Sequence, residues 1–303
     1  MRWLITGANG NLGRQLIPQL LQADDHSEVV AVVRSASARA AVEGIVLEDT
    51  QRPRLSVVEL DYVDVAAIKA AAEGCSHVVH LVGILKASKT ATYQAAHEDS
   101  CTALVSALQD SSVEHISYMS IVGSRPDSKN ACLASKGRAE QILAASKHSV
   151  AVLRVPMVLG EGDYASFALS KSARKSVAFG FRTSSLEQPI YAPDVVSAIF
   201  QAGQLQVDAA LDLGGPEILS RRALILRAGQ VLGTQPRVVS LPIGLGMAMA
   251  GLFEALLGNP PVTQAMLGVL DHDDNVDSQS ALTALQMEGL TDLDTMLDAC
   301  LVR

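Results

Sequence analysis

Short apolar runs alternate along the chain with longer segments in which apolar residues recur every three or four positions. The runs are rich in valine and isoleucine, which is typical of strands buried on both faces of a parallel sheet, and the longer spacing is typical of amphipathic helices. The runs lie at residues 3–5, 28–33, 55–60, 77–83, 114–120 and 149–156. This alternation predicts an α/β fold built on a doubly wound parallel sheet.

A glycine-rich turn joins the first predicted strand to the first predicted helix. It reads TGANGNLG over residues 6–13. Gly7 can take backbone angles closed to other residues, Gly10 lets the main chain approach a phosphate, and Gly13 lets the helix lie close to the strand. The helix start adds N–H donors and the positive end of its dipole. The turn predicts a dinucleotide site, with a simple surface turn as the alternative. Its predicted cofactor contacts are Gly7, Asn9, Gly10, Asn11, Leu12 and Gly13.

The second predicted strand ends in Arg34 and Ser35. A site that prefers NAD usually carries an Asp or Glu here, which binds the ribose 2′-hydroxyl. A carboxylate would repel a 2′-phosphate, whereas a guanidinium can pair with it through two hydrogen bonds. The sequence therefore predicts NADP(H) over NAD(H). The alternative is that Arg34 stacks on the adenine or faces solvent.

The TGANGNLG turn resembles that of the extended and atypical short-chain dehydrogenase/reductases, which belong to the NAD-dependent epimerase/dehydratase superfamily. The residues from Leu241 onward most resemble the NADPH-binding accessory subunit of respiratory complex I and the NmrA-like group. The resemblance implies a Rossmann-type sheet with a smaller C-terminal α/β lobe. We divide the chain into a cofactor-binding Rossmann domain at 1–206, to whose second lobe 160–188 contributes, and a small, mainly helical lobe at 207–303 for substrate or partner.

The resemblance also implies further cofactor contacts. Asp61 would bind the adenine amino group, although Asp61 or Asp64 could instead cap the helix predicted at 65–72. Gly83 would pass beneath the nicotinamide ribose, which Lys136 would hold. The implied contacts outside the turn and the second strand are Asp61, Tyr62, Leu81, Val82, Gly83, Lys136 and Pro156.

The catalytic residues implied by the resemblance are incomplete. Ser120 would polarise a substrate carbonyl or hydroxyl, and Lys136 matches the lysine of the family's Tyr-x-x-x-Lys motif, but Cys132 stands in place of the tyrosine. The family's phenol reaches the substrate oxygen, and a thiol at the same Cα is too short to do so. Cofactor binding should therefore persist where ordinary hydride transfer is in doubt. Tyr164 and Tyr191 are candidate substitute acids, although packing is the simpler role for each.

Two functions remain open at this point. We favour an NADP(H)-binding protein that is structural or redox-sensing and holds its cofactor without consuming it, because the tyrosine is missing. The alternative is an NADP(H)-dependent oxidoreductase, or an enzyme like the nucleotide-sugar epimerases and dehydratases, which uses Ser120 and Lys136 with a substitute acid. Fold resemblance alone cannot decide between them.

The composition and net charge of the chain limit the classes of partner that we expect. The 303 residues are 49% hydrophobic, ample for a core, and the net charge of −8 gives no electrostatic footprint for nucleic acid. Because the turn begins so early, we expect no signal peptide before it. The four cysteines lack the spacing of a metal site or a disulfide framework, so we expect reduced thiols in a cytoplasmic protein. They are Cys75, Cys101, Cys132 and Cys300.

Three further segments carry expectations. The apolar stretch 243–258 is shorter than the roughly 20 residues of a membrane span and contains Glu254, so we expect a buried or interfacial helix; association with a membrane surface or a complex stays open. The helices at 91–109 and 132–147 form the dimer face in many members of the resembled family, which leaves a homodimer open. Residues 271–274 read Asp-His-Asp-Asp, but such neighbours cannot all converge on one ion, so no metal is expected.

Two polar residues of the predicted elements also have expected roles. His80 lies within an apolar strand and is expected to be a core histidine whose hydrogen bonds are satisfied. Ser220 precedes a helical segment and is expected to cap it.

Overall fold

The computed structural model describes residues 1–270 and 272–301. Its strands are β1 (Arg2–Thr6), β2 (Glu28–Val33), β3 (Leu55–Glu59), β4 (His77–His80), β5 (His115–Ile121), β6 (Ser149–Val155), β7 (Val158–Leu159), β8 (Val177–Phe181), β9 (Leu186–Glu187), β10 (Ile190–Tyr191), β11 (Ala209–Asp212), β12 (Leu219–Ser220) and β13 (Arg237–Leu241).

The α-helices of the described residues are α1 (Asn11–Ala23), α2 (Ala36–Glu43), α3 (Val65–Ala71), α4 (Ser100–Ala107), α5 (Ala131–Ala144), α6 (Tyr164–Ala173), α7 (Ala192–Gln204), α8 (Arg221–Val231), α9 (Ile243–Leu256), α10 (Gln264–Leu270), α11 (Gln279–Ala284) and α12 (Leu293–Leu301). A π-helical turn at Gln94–Asp99 leads into α4, where one continuous helix over 91–109 was expected.

Seven strands form the central sheet in the order β3-β2-β1-β4-β5-β6-β11, and every pair is parallel. Alternate residues of each strand face opposite sides of the sheet. Trp3 and Ile5 therefore join the core beneath α1 and α7, whereas Leu4 joins the core beneath α3, α4 and α5. The predicted doubly wound Rossmann-type sheet is confirmed.

A second lobe has its own core and its own short sheet. Strand β8 pairs in parallel with β13, and α6, α8 and α12 pack together over Leu224, Met296 and Leu297. Ser220 caps α8 by accepting a hydrogen bond from the Ala223 N–H at 3.1 Å, as predicted. The division after residue 206 stays a prediction about domains, but the central sheet extends past it because β11 pairs with β6.

Candidate functional site

The glycine turn lies where β1 ends and α1 begins. Gly7 has a φ of 72°, a left-handed conformation that favours glycine. A Cβ at Gly13 would lie 2.6 Å from the Ala8 carbonyl oxygen, so only glycine lets α1 approach the turn this closely. Gly10 occupies the N-cap position, and no side chain among the described residues caps the helix. The first N–H groups of α1 therefore stay available to an anion, and the cradle fits a pyrophosphate.

The side chain of Tyr62 stabilises this turn through two hydrogen bonds. Its hydroxyl accepts a hydrogen bond from the Gly7 N–H at 3.1 Å and donates one to the Val32 carbonyl at 3.2 Å. One side chain thereby ties the turn after β1 to the end of β2. The family resemblance implies Tyr62 as a cofactor contact, and no spacing rule predicts this double hydrogen bond.

Removal of the Tyr62 hydroxyl should loosen the turn. We expect Tyr62→Phe to lower the free energy of unfolding by about 1 to 2 kcal/mol, because the buried Val32 carbonyl and Gly7 N–H each lose a partner. Urea denaturation of both proteins measures the difference. Tyr164→Phe is the matched control, since Tyr164 is 74% exposed. An equal effect of the two changes would contradict the bracing role.

The adenosine end of the predicted site is formed by residues after β2 and β3. Arg34 is exposed, and its guanidinium carbon lies 5.4 Å from the centre of the Tyr62 ring. Ser35 caps α2 by accepting from the Ala38 N–H at 3.2 Å. Asp64, and not Asp61, caps α3 through the Ala67 N–H at 3.0 Å. The exposed Asp61 thus remains a candidate for the adenine amino group.

The other predicted turn residues lie around the start of α1. Asn9 is exposed, whereas Asn11 and Leu12 are half-buried in the first turn of the helix. Leu81 and Val82 run directly past Gly7, because a Cβ on Gly7 would lie 3.1 Å from the Leu81 carbonyl carbon. The predicted phosphate contacts and the segment after β4 are therefore neighbours in space.

The residues predicted to surround the nicotinamide meet in one cavity of about 590 Å³. A Cβ at Gly83 would lie 3.0 Å from the Lys136 ammonium nitrogen, so these two positions are in direct contact. The predicted site residues that line the cavity are Leu81, Gly83, Ser120, Lys136 and Pro156. The structure thus brings together residues of the segments after β4, β5 and β6 with one residue of α5.

Lys136 is buried and its ammonium group is held in place. Its Nζ donates to the Met119 carbonyl at 2.7 Å and lies 4.5 Å above the Tyr118 ring. Burial lowers the pKa of Lys136 to about 8, although Cys101, Cys132 and Glu140 oppose the shift. An ammonium group has three N–H donors, so Lys136 can bind a further acceptor in the cavity. With this pKa it is also a competent proton donor near neutrality.

Ser120 does not have its proton available for a substrate carbonyl. Its Oγ donates to Oε1 of the buried Glu140, and Arg154 pairs with the same carboxylate, with Nη2 2.5 Å from Oε2. A hydroxyl that already donates its proton in one hydrogen bond can still accept another through its lone pairs. In this arrangement Ser120 can accept a hydrogen bond from a substrate hydroxyl but has no proton to donate to a carbonyl. Of the two expected roles, only the contact with a hydroxyl is compatible with the structure.

Cys132 lies beneath the loop that follows β4. Its side chain is fully buried, and its Sγ donates to the Ile84 carbonyl at 3.7 Å. Burial raises the pKa of Cys132 to about 11, so the thiol is protonated at neutral pH and is a poor nucleophile. In this arrangement the thiol contacts the loop and is not activated as a nucleophile.

Two further side chains hold the same loop. His97 accepts from the Ile84 N–H at 3.1 Å through Nε2, and the Tyr93 hydroxyl donates to the Leu85 carbonyl at 2.9 Å. Burial, with the positive charge of Lys136 as a second cause, lowers the pKa of His97 to about 3, so the ring is neutral. The loop that forms one wall of the cavity is thus fixed by Tyr93, His97 and Cys132.

The candidate substitute tyrosines differ in position. Tyr164 lines the cavity and is 74% exposed, so its ring is at the cavity edge. Tyr191 ends β10 and packs against the core of the second lobe. Lys136 is better placed than either phenol to donate a proton, because it contacts Gly83 within the site.

The walls of the cavity are mainly apolar. The apolar residues include Ile84, Leu85, Ile121, Val122, Met157, Phe181, Leu224, Ile225, Ile243, Met266 and Leu267. Besides Asp163 and Ser172, three polar side chains of the second lobe that no sequence motif indicates line the cavity. These are Glu187, Arg221 and Asp274. They are widely spaced along the chain, so no motif could have indicated that they meet.

Helix α9 begins beside this cavity and carries the apolar stretch singled out in the sequence. Leu245, Met249, Leu252 and Leu256 are between 44% and 71% exposed. They recur at helical spacing and form one stripe. No helix within residues 1–270 or 272–301 is long and apolar enough to cross a membrane. Association of the stripe with a membrane surface or a complex stays a prediction, as does a homodimer.

The remaining titratable candidates are structural. His80 is hydrogen-bonded to Thr6 Oγ1 at 2.7 Å and Ser100 Oγ at 3.3 Å, so it is a core histidine as predicted. The described part of the chain has no group of three His, Cys, Asp or Glu side chains that could hold a metal ion. Asp271 lies outside the described residues.

A family model described as NAD(P)H-binding matches residues 7–178, which is more than half of the chain. The chain belongs to this NAD(P)H-binding family. The glycine turn and the parallel sheet agree with the predicted resemblance to the atypical short-chain dehydrogenase/reductases. Residues 7–13 of the glycine turn, α5 and the cavity-lining segments through α6 fall inside the matched range.

Two relatives match over most of their length. A ceramide reductase of Caulobacter vibrioides is 24% identical over 264 residues, 85% of this chain and 80% of the relative. A mitochondrial NADH dehydrogenase [ubiquinone] 1 alpha subcomplex subunit 9 of Arabidopsis thaliana is 24% identical over 299 residues, 92% of this chain and 69% of the relative. The second match agrees with the predicted resemblance to a complex I subunit; the NmrA-like assignment stays a prediction.

Solved structures share the whole fold at low identity. The UDP-glucuronic acid 4-epimerase of Bacillus cereus in complex with NAD superposes with a TM-score of 0.76 at 16% identity, over 100% of this chain and 98% of that one. The protein gox2253 superposes with a TM-score of 0.76 at 18% identity, over 99% and 96% of the two chains. At these identities the likeness concerns the fold alone.

Proposed function

We propose that the protein is an NADP(H)-dependent oxidoreductase that acts on the carbonyl or hydroxyl group of an apolar, lipid-like molecule. The observation that carries the proposal is the cavity of about 590 Å³, which contains Gly83 and Lys136 and is otherwise lined mainly by aliphatic side chains. Such walls favour an alkyl chain, since burial of apolar surface contributes about 25 cal/mol per Å². The similarity to a ceramide reductase supports a lipid-like substrate.

The choice of NADP(H) is supported by Arg34. The side chain is exposed and lies over Tyr62, which contacts the glycine turn through Gly7. A 2′-phosphate on an adenosine bound along the ends of β1 and β2 would therefore be near a guanidinium. A site that prefers NAD usually carries an acidic residue after β2, which binds the ribose 2′-hydroxyl. This chain has Arg34 and Ser35 at that point instead.

Reversal of the Arg34 charge should reverse the cofactor preference. We expect Arg34→Glu to weaken NADPH binding by about tenfold to a hundredfold and to leave NADH binding nearly unchanged, because the new carboxylate repels only the 2′-phosphate. Titration followed by nicotinamide fluorescence measures both affinities. Arg125→Glu, which makes the same charge change at a side chain that is 62% exposed, should affect neither. Equal loss of NADPH and NADH would contradict the proposed role.

The residues of this chain divide the work around a substrate oxygen. A bound nicotinamide supplies or accepts the hydride. In the reductive direction Lys136 donates a proton from Nζ to the oxygen as the carbonyl carbon gains hydride, and the amine regains a proton from solvent. Ser120 accepts a hydrogen bond from the resulting hydroxyl and so orients it. The apolar walls exclude water from the reacting carbon. Lys136 thus serves as the substitute acid that the missing tyrosine requires.

A second function is favoured by one observation, the buried Cys132 in the tyrosine position. Under this alternative the protein is structural or redox-sensing and holds NADPH without consuming it. Its thiol stabilises the loop after β4 and takes no part in proton transfer.

The test is NADPH consumption by the full chain with long-chain aldehydes and ketones, matched to short-chain analogues such as decanal against butanal. Faster turnover of the long-chain member is expected. Tight NADPH binding without turnover of any member would favour the structural alternative. Failure to bind either reduced cofactor would overturn both functions.

A further inference from the structure

The cavity has polar groups in its second-lobe wall as well as beside Lys136. Glu187 comes from β9, Arg221 is the first residue of α8, and Asp274 follows α10. These three side chains interrupt a wall that is otherwise mainly apolar. A few convergent polar groups in an apolar cavity fix the orientation of a ligand and select its chemistry.

The charges of this cluster do not suit an anion. Arg221 donates from Nε to Oε1 of Glu187 at 2.6 Å and from Nη1 to the Phe181 carbonyl at 2.8 Å. The guanidinium charge is therefore balanced by Glu187, and Asp274 adds a second carboxyl group. A phosphate or carboxylate placed here would approach two carboxyl groups and a guanidinium that is already engaged.

Asp274 lines the cavity, whereas the neighbouring Asp273 attaches this part of the chain to β9. Asp273 accepts from the Leu186 N–H at 3.0 Å through Oδ1 and from Arg182 at 2.7 Å through Oδ2. The backbone N–H of Asp274 also donates to the Leu186 carbonyl at 3.1 Å. The attachment of this segment to β9 is thus provided by Asp273 and the main chain, and the Asp274 carboxyl is not needed for it.

The two carboxyl groups of this cluster have pKa values that burial raises towards neutrality. Burial raises the pKa of Glu187 to about 7, and Arg221 opposes the shift. Burial likewise raises the pKa of Asp274 to about 6, with Asp273 adding to it and Arg221 opposing it. His272 also faces this group, with Nδ1 3.6 Å from Oδ1 of Asp274. A hydrogen-bond donor or a cation would stabilise the ionised carboxylates, and an anion would not.

We propose that Glu187 and Asp274, positioned by Arg221, select a substrate whose polar head is neutral or cationic and carries hydrogen-bond donors, such as hydroxyl, amide N–H or ammonium groups. The inference rests on the proposed function, because it names the substrate class of the same cavity. It disfavours anionic heads, and with them the nucleotide sugars that the sequence left open.

The test uses amphiphiles that share one chain and differ in the head. Decylamine, decanol and decanoate are titrated calorimetrically into the NADPH-loaded full chain, below their micelle concentrations and in physiological salt, with UDP-glucose as the nucleotide-sugar probe. We expect decylamine and decanol to bind at least about tenfold more tightly than decanoate, and UDP-glucose to bind more weakly than either. In Asp274→Asn the preference for decylamine over decanoate should fall below about threefold.

Asp298→Asn is the matched control and should retain the preference of the wild-type chain, because Asp298 is exposed on α12 and lies outside the cavity wall. Glu187→Gln should act like Asp274→Asn; if it fails to fold because Arg221 loses its partner, Asp274→Asn decides alone. Equal binding of decylamine and decanoate to the wild-type chain, or tight binding of UDP-glucose, overturns the inference but leaves an apolar cavity. Failure of all three decyl compounds to bind overturns the proposed function as well.

Discussion

Replacement of Gly13 with alanine should weaken NADPH binding by about a hundredfold or more, equivalent to about 2.7 kcal/mol. The added Cβ would lie 2.6 Å from the carbonyl oxygen of Ala8 and 2.8 Å from its Cα. Both are backbone atoms, which cannot rotate away as a side chain can. Helix α1 must therefore move off the turn, and its first N–H groups move with it. Fluorescence titration with NADPH measures the loss.

Gly289→Ala is the matched control for this change, because, apart from its two chain neighbours, no residue that the structure describes has an atom within 4 Å of the Cβ that it would add. It should bind NADPH as the wild-type chain does. Thermal unfolding of both variants separates a local change in the turn from a general loss of stability. An affinity of Gly13→Ala within about threefold of the wild type would mean that the phosphate does not lie on this helix start.

Replacement of Lys136 with methionine should lower kcat by about a hundredfold to ten-thousandfold, the range for loss of a general acid. Methionine keeps most of the length of the side chain, so the change removes chiefly the ammonium group. The measurement is steady-state consumption of NADPH with a long-chain carbonyl compound. Lys147→Met, at an exposed lysine just beyond the end of α5, should leave kcat unchanged.

The pH profile gives the same role a second readout. The pKa of Lys136 is lowered to about 8, and the ammonium is the form that donates a proton. The rate of carbonyl reduction should therefore be level well below pH 8 and fall about tenfold for each pH unit well above it. If Lys136 only held the nicotinamide ribose, Lys136→Met would raise the KM for NADPH and largely preserve kcat. That outcome would assign the proton to another donor.

Local patterns predicted the elements well because the local sequence determines them. The β-branched runs became the parallel strands β1 to β6, and the glycine turn, the Ser220 cap and the core role of His80 were confirmed in place. Leu81–Gly83 leave the strand that was expected to contain them, since pairing of β4 with β1 and β5 ends at His80. Local sequence patterns predict where a strand lies but not where its hydrogen bonding to the neighbouring strands ends.

The chemistry of the site was less predictable because it depends on tertiary contacts. The family resemblance implied Ser120 as a polarising group, but its hydroxyl donates its proton to Glu140, which lies on another element. The thiol of Cys132 was expected to be too short to act, and its attachment to Ile84 could not be foreseen. Glu187, Arg221 and Asp274 meet only after β9, α8 and the segment beyond α10 have packed together. No spacing along the chain encodes such a meeting.

The core on the α1 and α7 face of the central sheet and the core of the second lobe share the chain in alternation. After the second-lobe strand β8, the chain returns to the central sheet through α7 and β11, and α8 then joins the second lobe. Ala281 and Leu285, at α11, pack in the core of the central sheet again, and α12 packs in the second lobe. Neither lobe can therefore be cut out as one continuous segment. The protein should accordingly unfold in a single cooperative transition, and a break in any one of these crossings should weaken both lobes together.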